Sequence, residues 1–491
     1  MSNFSFNGIR KNYCDYMDYV SAWGQNRELE ITDVRGRPGG VLSSINQKAR
    51  DIEVSVLVDA YENTQNLEHL ADDFVSWLTT DEPKPLIFDR EPDKIYYALL
   101  DSQIDKDYFV AFGKATVKFT CVDPYKYAVQ GTKNTAIQDQ LSVANTGTAD
   151  APITFQATAL KNASYFMVTK GDEDYFMIGD DDLDKPVEDY TPELFNSELR
   201  SLTGWTKQGV GTINDNYTGG TTGASMAMSS SKDAVVLNQD TVTDTTGWSG
   251  SLYRHSFGRT AQDFSSTCKI HVNQKKKGAS HTAQYLYDSD NRLLASIGYS
   301  NARASQSIGT IIVTLFDQLG AQKKIYSYQN LPKFYNWDDI VIYMRLQRKG
   351  DMFYIKTWKY QELEYPKRLI PVDVNEQSWH DAGNFYQRPI AGVGIYIAKN
   401  GSNYHMPTYF LGSYTHEILP KPPKARDMII KKGDVIEVNT RDNTVTINEE
   451  PALNLKTFGS DFFNVDSGMT ECEIFPSNTY DVTAFWQDRY L

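Results

Sequence analysis

Most of the chain consists of short segments in which apolar and polar residues alternate. Val, Ile, Tyr, Phe and Thr are frequent in these segments, and turn-forming residues separate them. Because successive side chains of a strand point to opposite faces, this alternation predicts half-buried β-strands in sandwiches or barrels. The predicted strands are residues 51–58, 113–120, 151–157, 165–169, 309–316, 340–346, 352–360 and 392–398. Residues 441–445 (RDNTV) separate two alternating runs and predict a hairpin turn.

One segment has a helical period instead. Residues 63–78 (NTQNLEHLADDFVSWL) repeat apolar residues every three or four positions, which predicts an amphipathic helix with Asn63 or Thr64 as its cap. The residues placed on its apolar face are Leu67, Leu70, Phe74, Val75 and Leu78. The chain is therefore predicted to be mainly β, with one α-helix.

The composition limits the classes of protein that fit. With 491 residues, of which 40% are hydrophobic, the chain can form about three packed domains. The absence of an apolar run of about 18 residues excludes a transmembrane helix. The four cysteines lie far apart, which disfavours a disulfide scaffold or a cysteine zinc site. A net charge of −14 disfavours a protein that coats nucleic acid.

The charge is divided unevenly along the chain. Residues 196–419 hold 23 Lys+Arg and 18 Asp+Glu, a net charge of +5, whereas the remainder holds 26 and 45, a net charge of −19. Acidic or proline-rich segments flank the central block at residues 179–195 and 419–427. This pattern predicts that one acidic parent domain is interrupted by an inserted module, because domain insertion at a surface loop is well tolerated.

Aromatic residues are the strongest candidates for ligand binding in the central block. Trp248, Trp379 and Tyr404 lie in segments rich in Gly, Ser and Asn, which favours exposed loops. Sugar rings stack on such aromatic faces, while neighbouring polar groups bind the hydroxyls. Trp337 and Trp358 are expected in the core instead. The predicted saccharide-binding residues are Trp248, Trp379, His380, Asp381, Tyr386 and Tyr404.

Catalytic and metal sites are weakly indicated. The His380–Asp381 pair lies in a β-rich block, where neighbouring side chains point to opposite faces and do not readily chelate one metal ion. Glu362 and Glu364 share one strand face and formally fit a glycosidase pair. Alternating carboxylates on an exposed strand are more common than catalytic pairs. No catalytic residue, metal or cofactor is therefore predicted.

The two flanks contain segments that occur, in the same order, in a known family. The segments are FSFNGIRKNY (4–13), GRPGG (36–40), RDIEVSVLV (50–58), LADDFVSWL (70–78), PLIFDREPDKIYYALL (85–100), GKATVKFTCVDPYKYA (113–128), GDVIEVNTRDNTVTIN (433–448), SDFFNVDSG (460–468) and VTAFWQDRYL (482–491). Together they resemble the distal tail proteins of long-tailed phages that infect Gram-positive bacteria. The resemblance covers residues 1–195 and 420–491.

The resemblance implies a fold. Residues 1–130 would form an N-terminal β-sandwich with helix 63–78, and six copies would form a ring at the tip of the tail tube. Residues 131–195 and 420–491 would form a galectin-like β-sandwich. Residues 196–419 make the chain look like an evolved form of the family, in which a jelly-roll carbohydrate-binding module interrupts the galectin-like domain. IVIYMRLQRKGDMFYIKTWKY and PIAGVGIYIAKNG are similar to strands of lectin-type jelly rolls.

The resemblance also implies a function: a structural hub of the virion tail tip, assembled in the host cytoplasm. Its expected partners are further copies of itself, the tail tube protein, a tail-associated lysin or tail fibre protein, a receptor-binding protein and a host cell-wall saccharide. DNA would pass through the ring without specific binding, and no membrane is involved. The helix would either pack across the ring interfaces or lie inside one subunit.

Two alternatives remain open. The inserted block could be a glycan depolymerase that uses Glu362, Glu364 or Asp381. The whole chain could instead be a free carbohydrate-binding lectin. Release of reducing sugar from host wall would favour the first, and a monomer that never forms rings would favour the second.

Overall fold

The computed structural model describes residues 3–21, 26–33, 35–36, 38–58, 67–101, 113–171, 174–182, 185, 187–273, 277–305, 309–329, 339–364, 367–421 and 424–491. These residues form two compact units, one of Met1–Val187 with Arg426–Leu491 and the other of Glu188–Ala425. The second unit thus starts and ends a few residues outside the block 196–419. No helix in the described ranges is long and apolar enough to span a membrane.

The described chain is mainly β, as predicted, and its elements are as follows. The first part holds β1 (Phe4–Phe6), β2 (Cys14–Ser21), β3 (Arg27–Asp33), β4 (Gly40–Gln47), β5 (Arg50–Val58), α1 (Leu67–Leu78), β6 (Lys84–Phe88), β7 (Lys94–Leu100), β8 (Lys114–Cys121), β9 (Lys126–Ala128), β10 (Thr132–Thr135), β11 (Gln140–Asn145), β12 (Ile153–Ala159), β13 (Tyr165–Lys170), β14 (Asp174–Gly179) and β15 (Val187–Glu188). The middle part holds β16 (Glu193–Ser197), β17 (Thr206–Lys207), β18 (Gly211–Ile213), β19 (Gly220–Thr222), β20 (Ser225–Met228), β21 (Val235–Asn238), β22 (Trp248–Ala261), β23 (Phe264–Asn273), β24 (Ser280–Tyr287), β25 (Leu293–Asn301), β26 (Thr310–Phe316), β27 (Gln322–Gln329), β28 (Asp339–Lys349), β29 (Met352–Glu364), β30 (Lys367–His380), β31 (Ile390–Asn400) and β32 (Thr408–Glu417). The last part holds β33 (Arg426–Asp427), β34 (Val435–Asn439), β35 (Thr444–Ile447), β36 (Glu450–Pro451), β37 (Gly468–Phe475), β38 (Tyr480–Trp486) and β39 (Arg489–Tyr490), and short 3₁₀ turns occur at Gln239–Thr241 and Leu453–Leu455.

In the first unit, the N-terminal sheet packs against α1. Its strands run in the order β1-β6-β7-β8-β5-β2, with β9 and β39 attached beside β7. Phe74 and Leu78 are fully buried in this core, and the indole of Trp77 donates a hydrogen bond to the carbonyl of Phe6 at 3.1 Å. One face of the helix therefore packs against the sheet of its own chain. Val75 was predicted on the apolar face of the helix, but its side chain is 40% exposed.

The start of the predicted helix, including the cap at Asn63 or Thr64, lies outside the described residues. The described helix begins at Leu67 and ends at Leu78, where it was expected to end. One strand pair stands apart from the main sheet, because β3 pairs only with β4 in a separate two-stranded hairpin among the described strands.

The rest of the first unit is a β-sandwich with two sheets, β10-β38-β12-β34-β35-β36 and β11-β37-β13-β14. Strands from both sides of the insertion alternate in these sheets, so that β12 pairs with β34 and β38. The predicted hairpin is confirmed, because β34 pairs with β35 and Asn443 has the positive φ of 52° that a tight turn needs.

The chain leaves and re-enters this unit at one place. β15 pairs with β33, which brings residues 187–188 beside residues 426–427. The guanidinium of Arg426 donates hydrogen bonds to Ser164 Oγ at 3.1 Å and to the carbonyls of Lys185 and Asp180 at 3.2 and 3.3 Å. An insertion whose ends lie together disturbs the parent fold little.

The second unit is a sandwich of two large sheets. The front sheet has the order β20-β21-β32-β23-β28-β29-β30 with β16 beside β32, and the back sheet has the order β18-β19-β22-β31-β24-β25-β26-β27 with β17 beside β22. Ile270, Ile342 and Phe410 from the front sheet pack against Ile297, Val313 and Ile395 from the back sheet. Its one cysteine, Cys268, is free and buried, like the three cysteines of the first unit.

Candidate ligand-binding sites of the second unit

The six residues predicted to bind saccharide form two groups. One group holds Trp379, His380, Asp381 and Tyr386, and the other holds Trp248 and Tyr404. The first lies where the chain passes from β30 into the start of β31. The second lies at the other end of β31, because Trp248 pairs with Asn400. At about 3.3 Å per strand residue, β31 separates the groups by roughly 30 Å, so the structure does not bring the six residues into one site.

In the first group, Asp381 organises a turn. Its side chain is 1% exposed, and its carboxylate accepts hydrogen bonds from the backbone N–H groups of Phe385 at 3.2 Å and Tyr386 at 2.9 Å. His380 is exposed, and its Nε2 lies 2.9 Å from the Asp351 carboxylate. The two neighbours have opposite environments, as the strand argument predicted. Asp381 therefore does not present its carboxylate to solvent.

A buried arginine also stabilises this turn. Arg348 is fully buried and donates through Nη1 to the carbonyls of Tyr386 at 3.1 Å and Arg388 at 2.8 Å. Burial lowers the pKa of Arg348 to about 10, so the side chain remains protonated at neutral pH. Trp379 and Tyr386 are half-buried and meet edge to face at 5.8 Å. They form a fixed aromatic corner rather than a flat exposed platform.

In the second group, a histidine packs against the ring of Trp248. Its ring stacks on His281 with 3.4 Å between centroids and 15° between planes. His281 is 4% exposed, and its Nδ1 lies 3.2 Å from the carbonyl of Gly219. Burial lowers the pKa of His281 to about 4, so the imidazole is neutral at pH 7. Tyr404, in contrast, is 57% exposed.

A segment of the same chain covers part of the outer face of the back sheet. Residues 211–222, which we call the strap, include β18 and β19 and lie over Tyr285 and Tyr396. Thr218 Oγ1 lies 3.1 Å from the hydroxyl of Tyr285, and the hydroxyl of Tyr396 donates to the carbonyl of Thr221 at 2.9 Å. Because Thr218 and both tyrosines are fully buried, the rings of Tyr285 and Tyr396 are not accessible to a ligand.

A cleft of about 550 Å³ opens beside the front sheet. It lies between the turn that joins β20 to β21 and the first residues of β32. The lining residues are Met228, Ser229, Ser230, Ser231, Asp233, Ala234, Val236, Leu237, Gln239, His271, His405, Pro407, Thr408, Tyr409 and Leu411. Apolar and polar side chains both line it, which is typical of sites for small polar ligands.

Sequence reasoning did not identify this cleft. Its residues come from three stretches, 228–239, 271 and 405–411, whose proximity depends on β21 and β23 both pairing with β32. The available signal was weak: six of the seven histidines occur in the central block, and SSSKD has the composition of a turn. Neither feature by itself indicates a binding site.

Glu362 and Glu364 were considered as a catalytic pair, and Trp337 and Trp358 were expected in the core. The side chains of Glu362 and Glu364, like Trp337, lie outside the described residues. Trp358 is 2% exposed and stacks on Tyr343 at 4.8 Å. Among the described residues, no group of three or more His, Cys, Asp or Glu side chains could hold a metal ion.

The two ends of the chain match known protein families. Residues 12–121 match the phage tail protein RIFT-related domain, and residues 427–490 match the siphovirus-type tail component, C-terminal domain. The distal tail protein of Bacillus phage SPP1 is 29% identical over 122 residues, which are 25% of this chain and 48% of that protein. The match thus spans about half the length of this relative.

Some solved structures show similarity to parts of this chain. The crystal structure of the SPP1 Dit protein gives a TM-score of 0.33 at 20% identity, over 37% of this chain and 75% of that chain. The CBM2 module of the evolved Dit of Lactobacillus casei BL23 phage J-1 gives 0.37 at 15% identity, over 48% and 100%. A family 16 endo-glucanase from Bacteroides ovatus gives 0.30 at 10% identity, over 45% and 99%. Because these TM-scores are low, the architecture described above rests on the strand pairing of this chain and not on these matches.

Proposed function

We propose that this chain, a phage tail protein of the siphophage distal tail type, is a structural hub of the tail tip that assembles as a homohexameric ring and binds host cell-surface saccharide. The observation that carries the hub is the placement of the two tail-protein domains. They lie at opposite ends of the sequence and belong to one compact unit. The second unit would be a module added to this hub.

The hairpin of β3 and β4 supports assembly with further copies. Leu29 faces Ile45 across the hairpin, and Ile31 faces Leu42. These four side chains are 49–60% exposed. Exposed apolar neighbours on a hairpin that stands apart from the main sheet are typical of an interaction surface. A neighbouring subunit of the ring would cover them.

The remaining partners follow from this role. The ring would join the tail tube protein to a tail-associated lysin or tail fibre protein and to a receptor-binding protein. A first unit with net negative charge suits a channel through which DNA passes without binding, because like charges repel. The chain would act without catalysis, cofactor or membrane insertion.

Light scattering of the purified full chain tests the ring. We expect six times the chain mass of 55.7 kDa, and ring-shaped particles in electron micrographs. Ile31→Asp should shift the protein to monomers without lowering its melting temperature, because Ile31 contributes little to the core. Ile137→Asp is the matched control, since Ile137 is 77% exposed in the same unit but away from the hairpin. A monomeric wild type that stays monomeric with its tail partners would refute the hub.

A pull-down with purified walls of the host bacterium tests the saccharide half of the proposal. The full chain should sediment with walls, and a variant in which a short linker replaces residues 188–425 should form rings without sedimenting. Assay of the supernatant for reducing sugar separates binding from hydrolysis. Release of sugar would support a depolymerase in place of a binding module.

A further inference from the structure

We infer that the cleft beside β32 is a saccharide subsite that takes one neutral or N-acetylated pyranose ring. The inference rests on the saccharide binding proposed above and assigns it to a place. The cleft has a volume of about 550 Å³, which is within the range of small-ligand sites. Three features of its lining favour a sugar: a ring pair, a set of hydroxyls around a carboxylate, and a buried nitrogen without a partner.

The ring pair gives the cleft a partly apolar wall. Tyr409 and His271 lie opposite each other on β32 and β23, with 5.2 Å between ring centroids and 31° between planes. Both flank core residues, Phe410 and Ile270, and therefore point away from the sandwich interior. Aromatic faces of this kind pack against the C–H face of a pyranose ring.

The turn between β20 and β21 supplies polar groups. Asp233 accepts hydrogen bonds from the hydroxyls of Ser231 and of Ser229, the latter at 2.8 Å. These bonds, led by that from Ser231, lower the pKa of Asp233, so the carboxylate stays ionised. A carboxylate has more acceptor sites than two hydroxyls use, and sugar hydroxyls are donors that can fill the remainder.

His405 provides the independent observation. It lines the cleft and is 5% exposed, and its Nδ1 has no hydrogen-bond partner among the described residues. Burial lowers the pKa of His405 to about 4, which leaves the ring neutral at pH 7. A buried polar atom without a partner costs free energy. Because Nδ1 has almost no accessible surface, a ligand hydroxyl or amide would reach it only after the His405 ring turned toward the cleft, and that contact would remove the cost.

The charge of the lining selects the class of sugar. None of the fifteen lining residues is Lys or Arg, and one of them is the ionised Asp233. Lys232 adjoins Asp233 in the exposed turn but does not line the cleft. An anionic unit, such as a uronic acid or a polyol phosphate, would therefore meet the Asp233 carboxylate with no lining arginine or lysine to offset the repulsion. Neutral hexoses and N-acetylhexosamines carry hydroxyl or amide donors without this repulsion.

The test uses an array printed with neutral hexoses, N-acetylhexosamines, uronic acids and polyol phosphates, probed with the full chain. Wild type should bind neutral or N-acetylated glycans. Tyr409→Ala and Asp233→Ala should each raise the Kd at least tenfold, and Tyr409→Phe should retain binding. Tyr354→Ala is the matched control, because Tyr354 is 42% exposed on β29 in the same sheet and does not line the cleft.

A second variant separates binding from stability. His405→Leu removes the nitrogen without a partner, so it should weaken glycan binding while leaving the melting temperature unchanged or raising it. If the wild type bound only anionic glycans, or if wild type and Tyr409→Ala bound equally, the assignment of the sugar to this cleft would be refuted. The proposal that the chain binds saccharide would remain. A wild type that bound neither the array nor host walls would overturn both proposals.

Discussion

Two buried histidines should make the second unit sensitive to mild acid. His281 and His405 are 4% and 5% exposed. Burial lowers the pKa of each to about 4, because a charged imidazole loses its hydration in the folded chain. Both imidazoles have an ordinary pKa of about 6.5 in the unfolded chain. Between these values the unfolded state binds more protons than the folded state does.

The sign and size of the effect follow from this difference. Above about pH 7.5 both states are largely neutral at these sites, so the histidines add little pH dependence. As the pH falls from 7 to 5, each histidine lowers the free energy of unfolding by about 2 kcal/mol, and the loss levels off near pH 4. Together they would remove about 4 kcal/mol, a large part of the stability of a typical domain.

Hydrogen exchange of the full chain, read on peptides from β24 and β31, measures this loss inside the second unit. After correction for intrinsic exchange rates, protection should fall between pH 7 and pH 5. His281→Gln should reduce the fall by about half, even if loss of the Trp248 stack lowers stability at every pH. His380→Gln is the control, because His380 is exposed. An unchanged pH dependence in His281→Gln would refute the assignment of this acid sensitivity to His281.

Three further substitutions test the packing. Phe74→Ala removes a fully buried ring from α1 and should lower the free energy of unfolding of the first unit by about 3–5 kcal/mol in denaturant titration. Asp215→Ala removes the acceptor of Thr218 Oγ1 at 2.7 Å, so the opening free energy of the strap should fall by about 1–3 kcal/mol and its hydrogen exchange should become faster. Unchanged protection there would contradict the role of Asp215. Gly250→Ala would place its Cβ 2.0 Å from a backbone oxygen and should lower the melting temperature, whereas Gly247→Ala, with nothing within 4 Å, should not; equal melting of the two would count against the close approach.

Most strands could be predicted because their signal is local. In β5 the burial alternates along Arg50–Val58, as the sequence pattern of that segment requires. The helix ended where predicted, since its apolar period stops at Leu78. The exposed Val75 shows the limit of this reasoning. A helical period places residues on a face, but the width of the buried face depends on the sheet that packs against it.

The proposed saccharide site could not be derived in the same way. Trp248 was expected in an exposed loop, but its ring stacks on His281, which is 33 positions away in the sequence. Asp381 was expected among the binding residues, but its carboxylate accepts the backbone N–H groups of its own turn. A loop context indicates that a residue is near the surface, but it does not indicate which partner occupies its side chain.

The sequence by itself determined the β class, the helix that ends at Leu78, the resemblance of the two flanks to a phage tail family and the central block of different charge, because alternation, helical period, motif order and composition are each read along the chain. Tertiary structure alone decided which faces are open. Thr218 meets Tyr285, and His271 meets Tyr409, across 67 and 138 residues. Such contacts depend on strand order and on the path of the strap, which no local pattern encodes.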